Sequence, residues 1–345
     1  TAAKSILGNF PMFSPESTLV RAGRRFLYDA NDSSANGSSS CASCHIFGDM
    51  DHLSWDLGNP DDATKDNTNA YVPGVPKTTF RFHPMKGPMG TQTLRGMRGN
   101  GPLHWRGDRT GTNRQMVRGF LESLEDASFK EFSSAFVGLV GRETELSAAQ
   151  MQSFTDFAMA LTMPPNPVRA LTNTLNATEQ AGSNIYFNNN TTTLLGGCNT
   201  CHTVNPAAGR FGTAGLMSFE GGRITENFKV PQLRNVYQKA GMFGFSLSNT
   251  VGTGQQIRGF GFSHDGSVDT LDSFLSDPVF NFPAPAVTTR AQVAAFVLAM
   301  DSDLAPIVGQ QVTWRPNTSA AVEAHLNLLK AQAALVIRRA SCDLI

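Results

Sequence analysis

Charge is what this chain of 345 residues has least of: Asp, Glu, Lys and Arg make up 16% of it, against roughly 25% in ordinary soluble domains. Lys plus Arg equals Asp plus Glu, 28 each, so no excess positive field exists to hold nucleic acid or an anionic membrane. Neither is expected as a partner. No run reaches the ~18 consecutive apolar residues that span a bilayer, and the first residues lack the basic-then-apolar pattern of a signal peptide. Asn, Thr, Ser and Gly take the place of charge. Such a surface suits an exported protein, periplasmic or extracellular, of which this would be the mature chain. Cysteine is scarce too: five residues, an odd count, four of them in two Cys-x-x-Cys-His units. A dense disulfide framework is therefore not encoded, and Cys342 is left over. Strand-like alternation is short, and Gly and Pro are scattered through long stretches. The fold class expected is mainly α, with long irregular loops.

The length allows two ordinary domains, and the chain reads as one plan used twice. Ser14-Pro15-Glu16 has the form of an N-cap, a proline at the first helical position and a first-turn acid, ahead of an apolar face of Leu19, Val20 and Phe26. This helix should run to Leu27 or Tyr28. The polar run 31–40 follows, poor in apolar surface, and reads as a mobile loop before Cys41. In the second half Thr178-Glu179-Gln180-Ala181-Gly182 leads to Ile185-Tyr186-Phe187, a polar run and Cys198. Ala22-Gly23 and Ala181-Gly182 hold equivalent places. Ser147-x-x-Gln150 and Thr289-x-x-Gln292 read as capping boxes, each opening a helix that closes its half, with apolar faces Met151-Phe154-Phe157-Ala158-Leu161 and Val293-Phe296-Leu298-Met300. Met163-Pro164-Pro165-Asn166-Pro167 cannot continue a helix. The boundary falls there, giving two domains, 1–163 and 168–345.

Cys41-Ala42-Ser43-Cys44-His45 and Cys198-Asn199-Thr200-Cys201-His202 carry the c-type haem attachment pattern, in which two thiols form thioethers to a porphyrin and the adjacent histidine ligates iron. Residues i and i+3 share a helix face, so one turn aims both sulfurs at one porphyrin edge and sets the imidazole beneath the metal. A zinc knuckle would need a fourth ligand per site, and a thioredoxin-like redox pair needs no histidine. Two covalently attached haems, one per half, are expected. Their attachment implies maturation outside the cytoplasm.

The surrounding series resembles the bacterial di-haem cytochrome c peroxidase family. In the first half it comprises Phe82-His83-Pro84-Met85-Lys86-Gly87-Pro88, Thr93-Leu94-Arg95-Gly96-Met97 and Leu103-His104-Trp105-Arg106-Gly107-Asp108-Arg109. In the second it comprises Phe228-Lys229-Val230-Pro231-Gln232-Leu233-Arg234-Asn235 and Phe262-Ser263-His264-Asp265-Gly266-Ser267-Val268. The last stretch is also similar to that of the methylamine dehydrogenase maturation enzyme and the rubber oxygenases.

The resemblance implies that His83 is the sixth ligand of the first haem, and that Trp105 lies between the haems as an electron relay. A solvated or propionate-bonded histidine and an ordinary core tryptophan are the alternatives. Arg95, Arg98, Arg106, Arg109 and Arg234 are candidates to pair haem propionates. In the family a methionine beyond His-Asp-Gly ligates the second iron, yet 270–277 contain none. His264 becomes the preferred ligand there, with Met242, Met300 and an open or tyrosine-ligated iron as alternatives. Gly90 stands where the family's interdomain calcium site uses an asparagine, which argues against calcium. No acid–base residue matches; Glu122 and Glu125 follow the short stretch after Trp105. His104 and His325 are read as supporting or surface residues. The implied function is an oxidoreductase exchanging electrons with a redox partner protein. One haem, the first with displaceable His83, would meet peroxide, dioxygen or a partner's redox group. The rival is a pure electron carrier with both irons six-coordinate, or a redox module of a larger polypeptide.

Overall fold

A computed structural model describes residues 16–75, 81–85, 87–188, 191–193, 196–220, 227–240, 261–302 and 304–335. Helices carry the regular structure. The first half holds α1 (Thr18–Tyr28), α2 (Ala30–Ser33), α3 (Leu124–Lys130), α4 (Ala135–Gly138) and α5 (Ala148–Ala158). The second holds α6 (Ala177–Asn188), α7 (Cys198–Cys201), α8 (Val236–Lys239), α9 (Leu271–Leu275), α10 (Ala286–Leu298) and α11 (Ala320–Ala333). Among the described residues strands are two or three residues long and pair antiparallel in twos, as Ser54–Trp55 does with Met89–Gly90 and Met217–Phe219 with Asn227–Lys229. The mainly α character with long loops is as the weak alternation implied.

Local signals succeed and fail for identifiable reasons. Ser17 caps α1, its Oγ accepting the Val20 amide at 3.2 Å; the expected cap, Ser14 with Pro15, lies outside the described residues. Phe26 and Leu27 are buried as expected, whereas Leu19, in the first turn of the same face, is 45% exposed. The run 31–40 is not wholly a loose loop. It opens with the turn α2, where buried Ser33 places its Oγ 2.8 Å from the Asp29 carbonyl and 3.1 Å from that of Phe26. Small hydroxyls can satisfy helix-end carbonyls, and that orders a segment without apolar surface.

The Ser147–Gln150 capping box forms, with the Ser147 amide donating to Gln150 Oε1 at 2.9 Å. Thr289 forms none. Helix α10 starts earlier, behind Pro285, and Thr289 is buried inside it with its hydroxyl 2.7 Å from the Pro283 carbonyl. A proline suits a helix start because no intrahelical acceptor awaits its missing amide. Asn176 and Glu179 form a reciprocal box at the head of α6 that the sequence reading missed. Nor does α10 close the second half. Helix α11 follows, capped by Ser319 and packing Leu329 against Ala305 and Ile307.

The proposed repeat is visible as two helix crossings. A Cβ added to Gly23 of α1 would lie 1.9 Å from the Ser153 carbonyl oxygen and 2.6 Å from Phe157 Cβ on α5. One added to Gly182 of α6 would lie 1.9 Å from the Gln292 carbonyl oxygen and 3.0 Å from Phe296 Cβ on α10. Each pair thus touches backbone to backbone at one glycine, with a phenylalanine four residues further along the partner helix. Around the first crossing pack Phe26, Leu27, Phe129, Phe136, Met151, Phe154 and Ala158. The Phe129 and Phe154 rings meet edge-on at 5.0 Å, a favoured aromatic geometry. Around the second pack Tyr186, Val236, Val268, Val293, Phe296 and Met300.

The proline-rich stretch after α5 is anchored to the end of α10. Buried Asn166 donates through Nδ2 to the carbonyls of Leu298 (2.8 Å) and Met300 (2.9 Å), and Arg169 reaches that of Ala299 at 3.0 Å. These donors satisfy carbonyls that a helix end leaves without intrahelical partners. Loops of the two halves also meet directly. The segment at Tyr71 pairs with the strand Met217–Phe219, the Val72 amide donating to the Met217 carbonyl at 2.9 Å, and Gly101 faces Gly215 so closely that a Cβ on either would fall 2.8 Å from the other's Cα.

Gly23→Ala and Gly182→Ala should each destabilise the protein by about 3 kcal/mol, the upper range for overpacking a close contact. Gly138→Ala in α4, where an added Cβ meets nothing within 4 Å, should be neutral or stabilising by about 0.5 kcal/mol. Denaturant unfolding of the three variants measures this.

Candidate functional site

Cys41 opens a single helical turn. Its carbonyl receives the amides of Cys44 (3.3 Å) and His45 (2.8 Å), and the Ser40 amide donates to Ser43 Oγ at 3.1 Å. Both thiols and the imidazole therefore stand on one turn, as their spacing predicts. Burial pushes the Cys41 thiol up to about 11 and raises Cys44 as well, so neither is a thiolate at neutral pH. Burial also depresses His45, against the backbone of Gln92 and Asp49, keeping its imidazole neutral. Its Nδ1 is enclosed and has no hydrogen-bond partner.

The second unit repeats the turn as α7, with the His202 amide donating to the Cys198 carbonyl at 2.8 Å. Here the imidazole is fully oriented: Nδ1 lies 2.9 Å from the Gly212 carbonyl oxygen and 3.2 Å from that of Pro231. Carbonyls only accept, so Nδ1 carries the proton and Nε2 the lone pair. Burial lowers the His202 pKa, and the ring is neutral. This is the arrangement that orients a metal-ligating histidine. Tyr186 of α6 donates its hydroxyl to the His202 carbonyl, and Thr191 Oγ1 is 3.1 Å from Cys198 Sγ. Gly212 has φ +96°, and a Cβ there would meet Leu233 at 2.5 Å; a glycine lets the carbonyl approach the ring.

Among the described residues no three His, Cys, Asp or Glu side chains converge to hold an ion by themselves. Zinc held by protein donors alone requires such convergence. A haem, bringing nitrogens of its own, would ask each unit for two thiols and one histidine, which is what each unit contains.

The other expected residues gather along the seam between the halves. Buried Trp105 donates Nε1–H to the Gly90 carbonyl at 2.7 Å, and the Gly90 amide donates to the His264 carbonyl at 2.6 Å. The Trp105 and His264 rings stand edge to face with centroids 6.5 Å apart. Glu220 faces His264: Oε2 is 2.5 Å from Nδ1 and Oε1 accepts the backbone amide at 2.6 Å. Phe228 stacks on the His264 ring at 4.5 Å. Lys239 lies 5.6 Å over the Trp105 ring, its pKa lowered by burial against the pull of Glu220. Burial pushes Lys229, whose amide donates to the Trp105 carbonyl, down to about 8, with Glu125 opposing. Glu220, Lys229 and Lys239 were missed as seam residues. Glu220 sits in no motif, and its nearness to His264 crosses 44 positions of sequence.

His83 is half-buried, its Nδ1 3.1 Å from both the amide nitrogen and the carbonyl oxygen of Met85. Donation to the carbonyl is the tautomer that leaves Nε2 to a metal. Arg106 holds this loop, donating to the carbonyls of His83 (2.6 Å) and Pro84 (3.1 Å) and lying 4.5 Å over Phe82. Arg95 donates to the Phe47 carbonyl at 2.9 Å and pairs with Asp49 at 3.6 Å. Arg234 donates to Gln232 Oε1 at 2.7 Å and to the Gly96 carbonyl. Met300 is a core side chain, 1% exposed; Met242 and Cys342 lie outside the described residues. Glu122 is buried and engaged, accepting the Gln115 amide at 2.8 Å and the Lys130 ammonium. Glu125 accepts the Gly101 amide at 3.0 Å.

No protein-family model matches the chain, and no curated protein does. Solved structures do. A chain of hydrazine synthase from Kuenenia stuttgartiensis, pressurised with xenon, aligns at TM-score 0.51 and 17% identity, covering 87% of this chain and 96% of its own. Looser alignments are to a MauG-like protein associated with microbial copper homeostasis (TM-score 0.42, 17% identity, 84% and 91% covered) and to the diheme peroxidase BthA from Burkholderia thailandensis (TM-score 0.41, 15% identity, 84% and 86% covered). The likeness to the hydrazine synthase chain is one of fold.

Next to Trp105, His104 Nδ1 lies 2.5 Å from Asp108 Oδ1. Burial disfavours the Asp108 carboxylate, but the hydrogen bond and charge of His104, with Arg109, outweigh it and hold the pKa at about 2, below its ordinary 3.8. A depressed folded-state value stabilises above the unfolded pKa, and that stability is lost as pH falls through the folded one; the difference is worth about 2 kcal/mol. Asp108→Asn should lose that amount near pH 5 and flatten the fall in stability between about pH 4 and about pH 2. Denaturant midpoints across that range measure it.

Proposed function

We propose that the chain is an exported di-haem c-type cytochrome with peroxidase-like oxidoreductase function, built of two cytochrome c-like domains over residues 1–163 and 168–345. The observation that carries this is the repeated turn: two thiols and a neutral histidine, each set beside the same kind of glycine-crossed helix pair. The orientation of His202 adds to it, with Nδ1–H given to backbone carbonyls and Nε2 unprotonated. Cys41, Cys44 and His45 hold the first haem; Cys198, Cys201 and His202 hold the second.

Haem iron supplies one-electron chemistry and, where a sixth ligand leaves, a place for peroxide or dioxygen. His83 would be the displaceable ligand of the first haem in this reading, because Arg106 holds its loop by backbone carbonyls and the ring could turn without loss of that clamp. His264 stays, held by Glu220 and Phe228. Trp105, buried at the seam and in edge contact with His264, fills the space between the halves with an aromatic relay. Arg95 and Arg234 are the propionate partners of this reading, and a redox partner protein exchanges electrons in the periplasm or beyond. Gly90 offers no side-chain oxygen at the position where the resemblance would place a calcium ligand.

One observation favours the second reading, a pure electron carrier. Glu122 is tied to Lys130 and a backbone amide, so it is not poised to move a proton for peroxide.

The intact mass of protein matured in cells competent for cytochrome biogenesis should equal the polypeptide plus two haems, and Cys44→Ser and Cys201→Ser should each lower the pyridine haemochrome yield by about half relative to wild type. A mass equal to the bare polypeptide ends the proposal. Spectra with cyanide, carbon monoxide or peroxide should change for one haem; inertness of both in both redox states supports the carrier.

A further inference from the structure

Glu220 makes two contacts to a single residue. Its Oε1 accepts the His264 amide at 2.6 Å, and its Oε2 stands 2.5 Å from His264 Nδ1. The first fixes where the His264 backbone sits, the second how the ring is turned. Phe228 closes one face of that ring, with the planes 18° apart. The edge contact with Trp105 limits it from another side. Both side chains of the pair are shielded, 15% and 18% exposed, so water does little to weaken the contact.

The hairpin that carries these groups also touches the second Cys-x-x-Cys turn. Phe228 stands opposite Ser218 in the ladder, and the Ser218 hydroxyl meets the Cys201 thiol. Directly opposed residues project to the same face of a ladder, and Glu220 follows two positions after Ser218. One face of this strand pair therefore carries contacts to both Cys201 and His264.

A carboxylate accepting Nδ1–H fixes the tautomer with a lone pair on Nε2 and raises the basicity of that nitrogen. From this juxtaposition we propose that Glu220 is the positioning residue for the distal ligand of the second haem: it presents His264 Nε2 to the iron and makes it a stronger donor, favouring the oxidised metal. The proposal rests on the di-haem reading with His264 as ligand. An ordinary ion pair that merely ties the 264 loop to the hairpin is the alternative.

The test uses the full chain with its haems: wild type, Glu220→Gln, Glu220→Asp and His264→Ala, each checked for haem content by pyridine haemochrome and for folding by thermal melt. Midpoint potentials come from spectroelectrochemistry, and the iron ligand field from low-temperature EPR. Glu220→Gln, nearly isosteric, should raise the potential of one haem, leave the other in place and widen the g-value spread of one low-spin signal. Glu220→Asp should return both readouts toward wild type, and His264→Ala should alter the same haem. If Glu220→Gln matches wild type in both readouts while His264→Ala changes one haem, the role of Glu220 is overturned and the ligand assignment stands. If His264→Ala changes neither haem, both are overturned; the haem content still reports separately on the di-haem reading.

Discussion

Everything in this fold hangs on two places where a pair of helices closes to backbone contact. At Gly23 and again at Gly182 the partner helix lies so near that a single methyl group would collide with a carbonyl oxygen. That approach lets the phenylalanines of α5 and the Tyr186–Phe296 pair fill the space on either side. It also fixes where the Cys-x-x-Cys turns emerge. Cys41 and Ala42 pack against the cluster built on Phe26 and Leu27, and Cys198 against the one containing Tyr186. The Tyr186 hydroxyl reaches on to the backbone of His202. A rigid scaffold below and a short turn above is how a reactive group is held without a sheet to carry it.

The scarcity of charge finds a structural reason that composition alone did not supply. Much of the backbone runs in irregular loops, and each buried amide or carbonyl there needs a partner that helices and sheets would otherwise provide. Neutral short side chains fill that role. Asn67 and Asn69 donate to the carbonyls of Arg106 and Gly107, Asn100 to that of Gly96 at 2.7 Å, and Thr213 to that of Val230 at 2.5 Å. A charged side chain in the same places would carry a larger desolvation cost. The charges that are buried at the seam stand near opposite charges or donate to loop carbonyls: Glu220 faces His264 and Lys239, and Arg106 and Arg234 reach backbone carbonyls.

Local patterns were legible where the chain itself closes the interaction. The Ser147–Gln150 box, the apolar faces of α5 and α10, and the equivalence of Gly23 with Gly182 all depend on residues a few positions apart or on a repeated plan. The errors fall where a more distant partner decides. Thr289 has the spacing of a cap and became an interior helix residue because Pro285 starts the helix first. Leu19 has the spacing of a core residue, four positions before Gly23 on the same face, yet stands 45% exposed in the first turn of α1, whose buried residues are Gly23, Phe26 and Leu27 further along. Ser33, in a run with almost nothing apolar, is buried because two carbonyls at the end of α1 lie within its reach.

For the site the same division holds. The sequence by itself determined that two thiols and a histidine share one turn, twice, because helical spacing is a property of the backbone and needs no third party. Only the tertiary structure decided which nitrogen of His202 keeps its proton, since the carbonyls of Gly212 and Pro231 come from elsewhere in the chain. It alone set Glu220 behind His264 and brought Trp105 to that ring. Such contacts join residues tens to more than a hundred positions apart, and no local rule of spacing reports the packing that brings them together.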